Sequence, residues 1–158
     1  MAKDVLLVKK IAAFAFVALV LAGCSSPEKE AAQAQEFLHD ETSLAAAQRN
    51  AAVDCDSTNC DAAWALTKRY VEQHSDTPIT RADAVAIDTD VPSRSGKVAF
   101  SATRAPKGAG ATLTLFAQCR GMYGPDNAKG SDYDDCADKI LKVQNGYVAF
   151  LRAHASGQ

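Results

Sequence analysis

The order of apolar and polar positions divides the chain into a helical half and a period-two half. Residues 36–53 carry good helix formers (Ala46, Ala47, Gln48, Arg49), with Phe37, Leu38 and Leu44 as the larger apolar residues. Asp40-Glu41-Thr42-Ser43 offers a break into two shorter helices, with Thr42 or Ser43 as a new N-cap. A second helix is expected from Asn59 or Asp61 to about His74; Trp64, Thr67 and Val71 share one face, with Ala63, Leu66 and Tyr70 beside it. Ser75-Asp76-Thr77-Pro78 ends it, because the residue before a proline avoids the helical region. After Pro78 the period changes. Val85, Ile87 and Thr89 alternate with Ala84, Ala86 and Asp88; Val98, Phe100 and Ala102 with Ala99, Ser101 and Thr103; Leu113, Leu115, Ala117 and Cys119 with Thr112, Thr114, Phe116 and Gln118. Three such segments predict three strands with one buried face. Their links, residues 92–96 and 105–110, are short and rich in turn formers, which predicts an antiparallel meander. Residues 121–131 read as a polar loop, and Ser131 with Asp134 resembles a capping box for a last helix over residues 132–154. Cys136, Ile140, Val143, Tyr147 and Leu151 form its apolar stripe.

A three-stranded sheet needs a cover for its apolar face, and the Trp64 and Tyr147 helices are the available ones. The expected fold class is therefore α+β: a three-stranded antiparallel meander covered by helices in two layers, in the order α-α-β-β-β-α.

The N-terminus obeys a different pattern. Lys3, Lys9 and Lys10 precede an apolar run over residues 11–21, and small residues Ala22 and Gly23 precede Cys24. Such a run is too short for a bilayer core, which needs roughly 20 residues, and has the three parts of a signal peptide. Leu21-Ala22-Gly23-Cys24 resembles the lipobox of bacterial lipoproteins. The resemblance implies cleavage before Cys24, lipidation of Cys24, and a stable anchor made of several acyl chains. Ser25, rather than Asp, follows the cysteine, which implies the periplasmic face of the outer membrane, or the cell surface in a Gram-positive host. The expected organisation is a signal peptide at residues 1–23, a lipidated polar tether at 24–35, and one periplasmic domain at 36–158. Fully extended, the tether reaches at most about 40 Å.

Composition then narrows the partners. Removing Lys3, Lys9, Lys10 and Asp4 from 17 basic and 19 acidic residues leaves the mature chain at 14 − 18 = −4. An acidic, unpatterned surface argues against nucleic acid. Besides Cys24, four cysteines remain: Cys55, Cys60, Cys119 and Cys136. An even number in an exported domain reads as disulfides. Four cysteines allow three pairings and the sequence does not choose among them; Cys55–Cys60 and Cys119–Cys136 is the favoured set. The four-residue spacer between Cys55 and Cys60 is not the CxxC of thiol oxidoreductases.

Catalytic signatures are lacking. No GxSxG is present, and His39, His74 and His154 lie far apart with no flanking motif. His74 and His154 fall near helix C-termini, where an imidazole is favourable. The aspartates of residues 126–135 are hard ligands, but their spacing is not an EF-hand's and Lys129 lies among them, so capping and solvation account for them. No metal, cofactor or catalytic residue is assigned. The candidate partner surface is the outward sheet face with Thr114 and Phe116, extended by Arg120 and Tyr123; cover by Phe37 and Leu38 is the alternative. Phe37-Leu38-His39, Leu44, Cys55, Cys60 and Ala62 also resemble small entry-exclusion lipoproteins of conjugative elements, over about 25 residues. The strand region departs from that pattern. The expected function is a membrane-anchored, non-enzymatic binding or adaptor module for an envelope protein. The alternatives are a periplasmic inhibitor or immunity-type lipoprotein, with residues 104–110 as an inserting loop, and an envelope enzyme.

Overall fold

Nine residues of the expected tether are helical, and so is everything after them up to Asn50. The computed structural model describes residues 26–155; the lipobox and Cys24 lie outside the described residues. The chain divides into two units, residues 1–36 and 37–158. In the first, the described residues are the exposed opening turns of helix α1 (Pro27–Asn50), with Glu28 and Glu30 at the positive end of its dipole. In the second, α1 continues without the expected break at residues 40–43. Thr42 Oγ1 donates to the Leu38 carbonyl at 2.8 Å, so its side chain bends back on its own helix and caps nothing.

The helix also stops three residues early. The Ala51 N–H still closes on Ala47, but the Ala51 carbonyl accepts from the N–H of Leu115. Ladder pairing then takes over in β1 (Ala52–Cys55), a strand absent from the sequence expectation. Helix α2 (Cys60–His74) follows, then β2 (Ile79–Ala82), β3 (Ala86–Thr89), β4 (Val98–Lys107), β5 (Gly110–Cys119), a single 3₁₀ turn (Pro125–Asn127) and α3 (Tyr133–Ala155). The fold is α+β, as expected, but the sheet has five strands in the order β1-β5-β4-β3-β2, every pair antiparallel. The two unexpected strands are the edges. Each is four residues long, too short for alternation to be read, and β2 carries a bulge between Ile79 and Arg81.

The centre of the sheet is the β4–β5 hairpin, paired from Val98↔Cys119 to Lys107↔Gly110. Residues 104–107, expected in a protruding loop, are strand. The connection is only Gly108-Ala109, with Gly108 at φ +58°, as a type II′ hairpin turn demands of its first central residue. Arg104 turns onto α2 and bonds Asp61 at 2.8 Å.

Alternation decides which face is buried. Val98, Phe100 and Ala102 of β4, Leu115 of β5 and Ile87 of β3 form one core with Leu66, Tyr70 and Val71 of α2. The expected α3 stripe, Cys136, Ile140, Val143, Tyr147 and Leu151, completes it. The buried hydroxyls are matched: Tyr147 and Thr67 hydroxyls meet at 2.8 Å, and Tyr70 donates to the Val143 carbonyl at 2.8 Å. Trp64 is only half-buried, and its indole N–H donates to the Asp83 carbonyl. The capping expectations fail locally. Asn59 precedes α2 but its side chain serves the Asp56 turn, accepting from the Asp56 N–H. Asp132, not Ser131, immediately precedes α3, and the Ser131 hydroxyl donates to it.

Both disulfides take the favoured pairing, Cys55–Cys60 and Cys119–Cys136. The first ties β1 to the start of α2; the second ties the end of β5 to α3. Their sequence separations, 5 and 17, set the entropy each removes from the unfolded chain. Replacing Cys119 and Cys136 together by Ser should cost roughly 3 kcal/mol, and the same change at Cys55 and Cys60 roughly 2. Urea midpoints of the two double variants test this order, and its reversal refutes the loop-length account. A second expectation concerns Gly110, where a Cβ would lie 1.9 Å from the Cys55 carbonyl oxygen. Gly110→Ala must push β1 from β5 and should lower stability by about 1–3 kcal/mol or more by the same denaturation assay.

Candidate functional site

Among the described residues, the helices cover one side of the sheet only. On the other side the ladder sets out rows that run across the strands. Ala52, Thr114, Thr103 and Ala86 form one, by the pairs Ala52↔Thr114, Thr103↔Thr114 and Ala86↔Thr103. Asp54, Thr112 and Ala105 form the next, and Phe116 faces Ser101. The surface is therefore built of methyl groups and hydroxyls, with one large apolar side chain, Phe116, 39% exposed. Ion pairs border it. Lys107 bonds Asp54 at 2.6 Å, and Arg81 approaches Asp88 at 3.4 Å. The Lys107 ammonium and the Thr112 hydroxyl hold the Asp54 carboxyl below its ordinary pKa. Beside these rows lies a depression of about 260 Å³, lined by Asp88, Ala99, Ser101 and Gln118.

The alternative cover does not form. Phe37 packs its ring 5.1 Å from that of Tyr133, in the helical layer, and Leu38 is 64% exposed. Thr114 and Phe116 thus stand on an open face. Arg120 and Tyr123 have other engagements. Arg120 closes the end of the β4–β5 ladder through its backbone and directs its guanidinium to the Pro92 carbonyl at 3.4 Å. Tyr123 donates its hydroxyl to both carboxylate oxygens of Glu41, at 2.9 and 3.1 Å.

Glu41 is the hub of a cluster that the sequence did not single out. Tyr133, fully buried at the start of α3, donates to the same carboxylate at 2.7 Å. Lys129 sits 5.1 Å above the Tyr133 ring and pairs with Asp134. A second polar chain crosses deeper in. Gln144 of α3 donates to Gln48 of α1 at 2.7 Å, and Gln48 donates to the Leu115 carbonyl at 3.0 Å. A signal for both existed. Phe37, Glu41, Leu44 and Gln48 fall at helical spacing on one stripe of α1, and Gln144 lies four residues from buried Ile140 on α3. Polar residues on a core stripe mark buried hydrogen bonding. Glu41, Gln48 and Gln144 line a groove of about 510 Å³ between α1, β5 and α3.

Two of the three histidines serve their own helices. His74 and His154 each bond the carbonyl four residues earlier, Tyr70 and Phe150, at 2.9 and 2.8 Å. Among the described residues no three His, Cys, Asp or Glu gather as a metal ion would require, and no helix is long and apolar enough to cross a membrane. No family model, no curated protein and no solved structure matches this chain.

The four tyrosines supply a test of this packing. Burial, helped by the Glu41 carboxylate, pushes Tyr123 up to about 12 and raises Tyr133 as well. Burial pushes Tyr147 up to about 12 and raises Tyr70. The folded chain thus keeps phenolic protons that the unfolded chain loses near pH 10. Stability should be fully present below about pH 10 and fall as the pH rises toward 12. Tyrosinate absorbance should stay flat through pH 10 and rise together with alkaline unfolding; a rise near pH 10 in the folded protein refutes the assignment.

Proposed function

We propose that this protein is a lipoprotein anchored through Cys24 on the periplasmic face of the outer membrane, and that its domain is a non-enzymatic binding module for another envelope protein. Leu21-Ala22-Gly23-Cys24 supports the anchor. The observation that carries the binding role is the sheet face around Phe116, five strands wide and, among the described residues, with helices on one side only. A single large apolar side chain among Thr, Ser and Ala, framed by ion pairs, is the composition of an interface centre with a polar rim. The lipid does mechanical work: it confines the face to a thin layer and raises its effective concentration near membrane-bound partners. Lipidation also accounts for the position of Cys24, outside the even set of cysteines used in disulfides.

Binding is favoured over an inhibitor that inserts a loop, because the hairpin tip is reduced to Gly108-Ala109. It is favoured over acid–base catalysis because His74 and His154 are engaged with main-chain carbonyls and Glu41 with two phenols.

Crosslinking in intact cells tests the reading. The wild-type chain should fractionate with membranes, incorporate labelled palmitate and join one dominant envelope protein. Cys24→Ala should lose the label and the membrane fraction. Phe116→Asp should keep both and lose the crosslinked partner at least tenfold, since the change places a charge at the interface centre. A crosslinking pattern unchanged by Phe116→Asp refutes the face, and a Cys24→Ala chain that stays on membranes refutes the anchor.

A further inference from the structure

We propose that the groove between α1 and β5 binds an extended peptide segment of a partner protein, one that carries a basic residue. The proposal goes beyond the anchoring role and does not depend on the outer sheet face. It starts from the parity of the β5 backbone. Val53↔Leu113 and Cys55↔Ala111 are paired with β1, and the Leu115 N–H reaches the Ala51 carbonyl. The odd residues of β5 therefore aim their peptide groups away from β4. At Leu115 the supply of backbone partners ends. The Ala51 N–H is committed to Ala47 inside α1, and the side-chain amide of Gln48 takes its place on the Leu115 carbonyl. Ala117 and Cys119 are next in the same alternation, opposite a helix that offers no ladder. Both line the groove, and past the β1 ladder the only bonds at this edge from the described residues are those to Leu115. Two N–H and two C=O groups thus face an open space of about 510 Å³, within the range of natural ligand sites. A free edge of this kind is a template for an added strand.

Two further observations define the occupant. Gln144 is 2% exposed and lines the groove, and its Oε1 is the sole buried side-chain N or O atom without a partner among the described residues. That acceptor is buried beneath the groove lining, so an incoming N–H would reach it only by a small rotation of the amide. Glu41 is the one charged residue among those lining the groove, and Tyr123 and Tyr133 fix its carboxylate. It selects a Lys or Arg at that end of the peptide. Leu44, Met122 and Ile140 provide apolar wall for the intervening side chains.

The test uses the full lipidated chain in detergent, panned against a random heptapeptide library, with the best binder then synthesised. The amides of Ala117 and Cys119 should exchange rapidly in the protein alone and at least tenfold more slowly with the peptide bound. Enriched peptides should carry Lys or Arg, and N-methylation of their backbone should abolish binding. Ala45→Trp, an exposed position at the groove wall, should abolish binding by filling the space. Glu41→Gln should weaken it about two- to fivefold, the scale of a partly exposed ion pair. Phe116→Asp should leave it unchanged, which separates this site from the outer face. The proposal fails if both amides are protected before peptide is added, because another part of the chain then covers the edge. It fails equally if no peptide is enriched, or if binding survives Ala45→Trp, spares both amides or is lost in Phe116→Asp.

Discussion

The β4–β5 hairpin pairs ten residues with ten, and its alternation leaves each face a single character. Val98, Phe100 and Ala102 point to the helices with Leu113 and Leu115, while Thr103, Ala105, Phe116 and Gln118 point away. Every other element is placed by that constraint. α2 and α3 must lie on the apolar side, because a sheet this small is unstable without cover. β1 and β3 extend the ladder on either side. The second disulfide joins the last residue of β5 to the first turns of α3, so that the sheet and its covering helix are locked where the chain would otherwise be free to part. A one-residue slip would exchange the faces and bury the hydroxyl rows, which is why the register is so firmly specified.

The junction between α1 and β1 shows the same ladder overriding a local preference. Ala51-Ala52-Val53 is compatible with helix, and the preceding residues favour it. Pairing with β5 offers a ladder of four residue pairs, and the helix yields at Asn50. The cost of that transition is an incomplete ladder. Gln48 repairs it at Leu115, Gln144 supports Gln48, and the repair goes no further along the strand. The groove is a direct consequence of a helix lying where a strand would have continued.

The polar clusters answer to the same geometry. Glu41 reaches Tyr133 and Tyr123 only because α1 runs beside the start of α3. A carboxylate amid two phenols and an aromatic ring, with Lys129 over the Tyr133 ring, holds α1 to the rest of the domain by directional bonds rather than by apolar area. The first two-thirds of α1 bury no residue; Leu44 and Ala47, in its last third, are its only buried ones. The same packing keeps the open sheet face free of α1, since Phe37 is already committed to Tyr133.

The sequence by itself determined the α+β class, the two covering helices with the full α3 stripe and the central strands; it favoured one disulfide set of three, and the fold selected it. These rest on period and spacing, which are local properties of the chain. Tertiary structure decided the rest. β1 and β2 are four residues each and draw their conformation from neighbours, so no run of alternation announces them. The helix through residues 40–43 persists because Glu41 and Leu44 are held by α3 and the core, which outweighs the capping preference of Thr42. The expected reach of residues 105–110 as a loop vanished because ten paired residues outweigh the turn preference of Pro106 and Lys107. The sequence offered Tyr123 and Arg120 as extensions of the partner surface; their actual partners, Glu41 and Pro92, lie 82 and 28 residues away. Contacts at that separation carry no local signal, and only the folded chain brings them together.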